Sequence, residues 1–182
     1  MKRFTNSGRK ALCDENFYIA LSLALMLPDI CGSIEDPGPG KSQKRYEAWY
    51  KKWVEPAYTQ AAFRDRPAKI SLTAADCFQL RCSLIHSGSA EVEQKKVVDI
   101  ESFKFFDDTM KGHRNIVGGN SINGVLQPTF LQLSASQFCR DVFDAVDKWD
   151  TSVANDNPVQ VEKKKLLFIH SAGATIGGVK FG

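Results

Sequence analysis

The sequence predicts a mainly α fold: a helical bundle carrying a small β-hairpin or strand insertion, with an α+β arrangement as the runner-up. Three observations predict it. Residues 14–27 are apolar on nearly every side, as a helix at the centre of a bundle must be. Residues 42–55 and 136–150 repeat large apolar side chains at intervals of three and four. Residues 97–133 instead show alternation, β-branched and aromatic residues, and glycine-marked turns. The chain of 182 residues and 20.2 kDa suits one domain. Its 43% apolar and 25% charged residues exclude disordered, collagen-like and coiled-coil classes. The expected organisation is a single domain over 1–182. The bundle occupies 14–90 and 134–150, the β-like insertion 97–133, and a loop and tail 151–182.

The N-terminus has the outline of a signal peptide, with Lys2, Arg3, Arg9 and Lys10 ahead of the apolar residues 17–27. Asp14 and Glu15 interrupt that outline, and no small-residue cleavage site follows. The run of 11 residues falls short of the roughly 20 that a bilayer requires. A buried helix, capped by Asp14 and stopped by Pro28, is the expectation, with no membrane partner. Pro37-Gly38-Pro39-Gly40 then makes a loop.

Over residues 42–55, Tyr46, Trp49, Tyr50 and Trp53 fall on one helical stripe, with lysines and Arg45 on the other faces. The stripe reads as a core-facing seam. The basic back, with Lys44, Arg45, Lys51 and Lys52, is a candidate phosphate-binding face. A third helix is expected over 72–86, opened by the capping-box pattern Thr73-Ala74-Ala75-Asp76 and closed by Ser87-Gly88.

Beyond it, residues 97–106 read as a strand, Asn123-Gly124 as a hairpin turn, and 130–133 as a second strand. Ser134 or Ser136 caps a fourth helix whose core residues are Phe138, Val142, Val146 and Trp149. Residues 151–165 are polar, contain Asn157-Pro158 and read as a loop. Residues 166–169 suggest a short strand ahead of a glycine-rich tail. Gly112-His113-Arg114-Asn115 reads as a solvated turn.

A net charge of +3 excludes a blanket polycation and leaves room for a local basic site. The five cysteines at 13, 31, 77, 82 and 139 are odd in number and irregular in spacing, with no C-x-x-C pair. Several lie in apolar runs, and they read as reduced core residues of a cytoplasmic protein. The three scattered histidines offer no zinc cluster.

Arg81 is the residue that stands out. On a helical wheel it sits among Cys77, Phe78, Leu84 and Ile85, the centre of the apolar face of its helix. A guanidinium there requires an acceptor. Asp14, Glu15 or Asp29 would serve, as would backbone carbonyls or an anionic ligand.

Arg81-Cys82-Ser83-Leu84-Ile85-His86 resembles the R-x4-6-H motif of HEPN domains. These are small helical bundles common in bacterial toxin–antitoxin and abortive-infection systems. The resemblance covers residues 14–90 and the helix at 136–150. It implies a homodimer with a composite, metal-independent endoribonuclease site that uses no cofactor. Arg81 would hold the scissile phosphate and His86 would act as general base or acid on the ribose 2′-hydroxyl. Ser83, Lys44, Arg45, Lys51 and Lys52 are the accompanying candidates for contact with RNA or a nucleotide phosphate. An antitoxin or other defence partner is implied as well. Active members commonly carry a polar residue after the arginine, where this chain has Cys82. That leaves two alternatives open: a non-catalytic module binding RNA, a nucleotide or a protein, and an interaction protein whose motif is accidental.

Overall fold

The computed structural model describes residues 1–62, 67–89, 102–127 and 129–182. Among them six α-helices dominate a few short strands, so the chain is mainly α with small β insertions.

The first helix, α1 (Lys2–Cys13), is formed by the basic N-terminal stretch, for which no helix was expected. Thr5, Gly8, Ala11 and Leu12 recur at helical spacing and are buried. Its opposite edge is tied down by Arg9, whose guanidinium meets Asp144 at 2.7 Å and Asp147 at 2.9 Å. Asn16, not Asp14, caps α2 (Phe17–Glu35), accepting from the Ile19 amide. Asp14 instead pairs with Lys10.

Pro28 does not stop α2, which continues to Glu35. A mid-helix proline forfeits one backbone hydrogen bond and strains its turn. Here the surrounding packing holds the helix through it, because Leu25, Leu27, Cys31 and Ile34 are all buried. By length and composition α2 could cross a bilayer, with 19 residues and a mean hydropathy of 1.7 over its best window. Half of that window is buried against other parts of the chain, as a core helix is. It packs on α1 and on the later helices α3 (Ser42–Trp53), α4 (Ala74–Ser87), α5 (Ala135–Ser152) and α6 (Asn157–Lys164).

The aromatic stripe of α3 faces the core as its spacing predicts. Tyr46, Trp49 and Tyr50 are fully buried and Trp53 partly so. Trp49 meets Trp149 of α5 edge to face at 6.2 Å. Fully burying one such side chain is worth about 1.5–3 kcal/mol, so these rings join α2, α3 and α5 into one core. A 3-10 turn, Glu55–Tyr58, follows α3. A two-residue antiparallel pair, β1 (Thr59–Gln60) with β2 (Lys69–Ile70), leads into α4.

The β insertion is a three-stranded sheet in the order β3 (Ser102–Phe106), β7 (Phe130–Ser134), β4 (Asn115–Val117). β3 and β7 run parallel, with Phe103 opposite Leu131 and Phe105 opposite Leu133. That face packs on α5 through Phe105 and Phe138. The expected strand over 97–106 is present from Ser102 onward, and residues 97–101 lie outside the described residues. Asn123-Gly124 turns the hairpin of β5 (Ser121–Ile122) and β6 (Val125–Leu126), as expected. Ser134 caps α5 through the Gln137 amide.

Residues 151–165 are not all loop, since α6 lies within them. Asp156 caps it and Pro158 sits in its first turn, where a missing amide costs nothing. Residues 166–169 form no strand; Leu166 is partly buried against the core and 167–169 are exposed. The tail closes in a small hairpin, β8 (Thr175–Ile176) with β9 (Val179–Lys180).

Candidate nucleic-acid interface

The geometry of α4 determines where the motif side chains go. Thr73 and Asp76 form a full capping box: the Thr73 hydroxyl accepts from the Asp76 amide, and the Asp76 carboxylate accepts from the Thr73 amide. At the other end Gly88 adopts the left-handed conformation, φ 63°. Its amide and that of Ser89 reach back to the Leu84 and Ser83 carbonyls. The buried face between these caps is Ala74, Cys77 and Leu80, with Phe78 and Leu84 partly covered. Ile85 is exposed.

Arg81 therefore lies about 40° from the mean direction of Ala74, Cys77 and Leu80 at 100° per residue, on the flank of the fully buried residues and not at their centre as the wheel suggests. The acceptor it requires is Asp29 of α2. Arg81 Nη2 donates to Asp29 Oδ2 at 3.0 Å, and the two side chains are 20% and 22% exposed. The Ser42 hydroxyl, in the first turn of α3, donates to the same carboxylate at 3.1 and 3.2 Å from its two oxygens. Arg81 Nε is buried and has no hydrogen-bond partner among the described residues. His86, in the last turn of α4, is exposed, and no hydrogen bond or ion pair joins it to Arg81. Ser83 is half-buried in the same turn.

Of the candidate basic residues, two share a cavity. An open cleft of about 770 Å³ runs between α3 and the start of α4. Lys41, Lys44 and Lys51 line it, with Glu47 and Glu55 among them. Lys44 and Lys51 have no ion-pair partner among the described residues. Lys41 is held by Asp36 at 3.0 Å. Glu55 is buried and accepts from the Ala74 amide at 2.9 Å, so it already satisfies the start of α4.

Arg45 and Lys52 are placed differently from the expectation. Arg45 Nη1 donates to the Asp36 and Gly38 carbonyls and pins the Pro-Gly loop. Lys52 lies over the Trp53 ring at 5.1 Å. Neither lines the cleft.

His113 is not a solvated turn residue. Its Nδ1 accepts from the Ser134 amide at 3.2 Å, so the neutral ring carries its proton on Nε2, which faces Asp141 at 3.5 Å. Asp141 also accepts from Tyr58 at 3.0 Å and Gln137 at 2.7 Å. Burial alone would raise the Asp141 pKa, yet the hydrogen bonds from His113, Gln137 and Tyr58 hold it below the ordinary carboxylate range. With Nδ1 taken by the Ser134 amide and the buried Nε2 facing Asp141, His113 clasps the sheet to α5. Nothing local in the sequence signals this clasp, because its partners come from three distant segments.

Among the described residues no three His, Cys, Asp or Glu side chains gather closely enough to hold a metal ion. No protein-family model, no curated protein and no solved structure matches the chain.

Proposed function

We propose that the chain is an RNA-binding helical module of HEPN-like character that holds phosphate along the α3–α4 cleft. The observation that carries this reading is the placement of Lys44 and Lys51. Both line one open cavity with Lys41, and neither is neutralised by an ion-pair partner among the described residues. Unpaired cations aligned along a groove suit a string of phosphates, and each contact releases counterions. Arg81 does not line the cleft, and its link to it runs through the Asp29 carboxylate. Ser42 bridges to its carboxylate partner and adjoins Lys41 at the start of α3.

The test is fluorescence anisotropy with a labelled oligouridylate. Binding is expected to weaken steeply with salt. Lys44→Ala with Lys51→Ala is expected to lower affinity about tenfold, as loss of about 1.4 kcal/mol would do, and to flatten the salt dependence by about two units. Salt-insensitive binding, or binding unchanged in the double variant, overturns the reading.

Catalytic cleavage is the second reading. The partial exposure of Arg81, 20% of whose side chain reaches solvent, favours it, since a guanidinium can hold a scissile phosphate. Incubation of RNA in EDTA tests it in the same preparation. Cleavage to cyclic-phosphate ends, abolished by Arg81→Ala and by His86→Ala, supports an endoribonuclease. Intact RNA under conditions of saturated binding leaves the non-catalytic module.

A further inference from the structure

Lys41, at the Gly40 end of the cleft, and Arg81, which does not line it, are both already occupied, and both occupants come from one piece of chain. Asp29 lies in the C-terminal half of α2 and takes Arg81. Asp36, the residue that ends α2, takes Lys41. Lys44 and Lys51, farther along α3, have no such partner among the described residues. We infer that the C-terminal half of α2 is a built-in competitor for the phosphate site, an autoinhibitory contact that RNA must displace at Arg81 and Lys41. The inference rests on the RNA-binding reading above and specifies how that site is regulated.

Three features of the contact suit exchange. The Arg81–Asp29 pair is monodentate: Nη2 is engaged and Nε is left without a partner. With Nε buried, exchange takes place at Nη2, where a phosphate oxygen takes the position of Asp29 Oδ2. Asp29 is also held in a rival position by Ser42, whose hydroxyl contacts both carboxylate oxygens. When Arg81 leaves, the carboxylate keeps a hydrogen bond and is not stranded. Finally, Asp29 directly follows Pro28, which has no amide to donate to the Ala24 carbonyl. Leu27, Cys31 and Ile34 still keep the backbone of α2 packed, so exchange takes place at the side chains, of which Asp29 is 22% and Asp36 51% exposed.

The contact is tested with the same labelled oligouridylate. Asp29→Asn removes the competing charge while keeping the shape. It is expected to bind several-fold more tightly, with a salt dependence steeper by about one unit as Arg81 gains a phosphate. Asp36→Asn breaks an exposed pair on which the fold does not depend, and is expected to give a smaller gain through Lys41. Adding Arg81→Ala to Asp29→Asn is expected to abolish the gain.

If circular dichroism shows that Asp29→Asn fails to fold, Asp36→Asn decides the matter, since it frees Lys41 and is expected to bind more tightly than the wild type. Affinity unchanged in the variants that fold, with binding still weakened by the Lys44 and Lys51 substitutions, overturns the autoinhibitory contact alone. A gain in Asp29→Asn that survives Arg81→Ala overturns it too. No binding by the wild type or by any variant overturns both readings together.

Discussion

Cys77 shows how far a single residue is defined by its surroundings. It is fully buried in α4, with the Tyr46 hydroxyl 3.2 Å from its sulfur. Burial pushes its thiol up to about 12, and does the same for Cys139 in α5. A thiol that stays protonated at neutral pH neither reacts nor binds metal readily. Cys13 is exposed and Cys82 half-exposed, while Cys31 is buried with the other two. Titration of the native protein with a thiol-specific disulfide reagent is therefore expected to show one fast cysteine, one slower, and three that react only after denaturation. Fast reaction of Cys77 or Cys139 would contradict the packing. The reduced, buried character of most cysteines was legible from their apolar neighbours. The partner of Arg81 stayed open among three carboxylates, backbone carbonyls and an anionic ligand, because Asp29 is 52 residues away and only the crossing of α2 and α4 selects it.

That helix geometry rests on one close approach between elements. Gly32 of α2 lies against α3 so tightly that an added methyl group would sit 2.7 Å from the Arg45 carbonyl oxygen. The obstacle is backbone, so no side chain can swing aside. Gly32→Ala gains up to about 1 kcal/mol of intrinsic helix preference, but overpacking of this kind costs about 1–3 kcal/mol. Net destabilisation is expected, read as a lower urea midpoint with an unchanged slope. A midpoint equal to or above that of the wild type would show that α2 and α3 part without cost. The same crossing carries Ser42 to Asp29, so Gly32→Ala is also the substitution that loosens the candidate site from a distance. At this scale the sequence was most readable where signals are local: the capping box of α4, the aromatic stripe of α3, the Asn123-Gly124 turn. It misled where one residue has two meanings. Pro28 reads as a stop and is carried inside α2 by packing, whereas Pro158 reads as a loop and opens α6.

For the whole molecule, the carboxylates of α5 set the response to acid. Asp141 and Asp147 both titrate below their ordinary value. In each case burial opposes the shift and is outweighed, for Asp141 by His113, Gln137 and Tyr58, and for Asp147 by Lys2, Thr5 and Arg9. A carboxylate with a depressed folded pKa contributes stability above its unfolded value, near pH 4, and loses it as pH falls through the folded value. These two residues join α5 to the sheet and to α1, contacts between distant segments that no periodicity in the sequence reveals. Urea midpoints are therefore expected to hold between pH 7 and about pH 5 and to fall steeply below about pH 4, where the unfolded chain binds more protons. Asp141→Asn is expected to lower the midpoint at pH 7, because His113 and Tyr58 lose their anionic acceptor, and to lose less than the wild type on going from pH 5 to pH 3. A wild-type and variant pair that fall in parallel over that interval would show that the His113–Asp141–Tyr58 clasp does not hold the β insertion to the bundle. None of the insertion's described residues lines the α3–α4 cleft, so its loosening at low pH should leave salt-dependent RNA binding in place until the bundle itself unfolds.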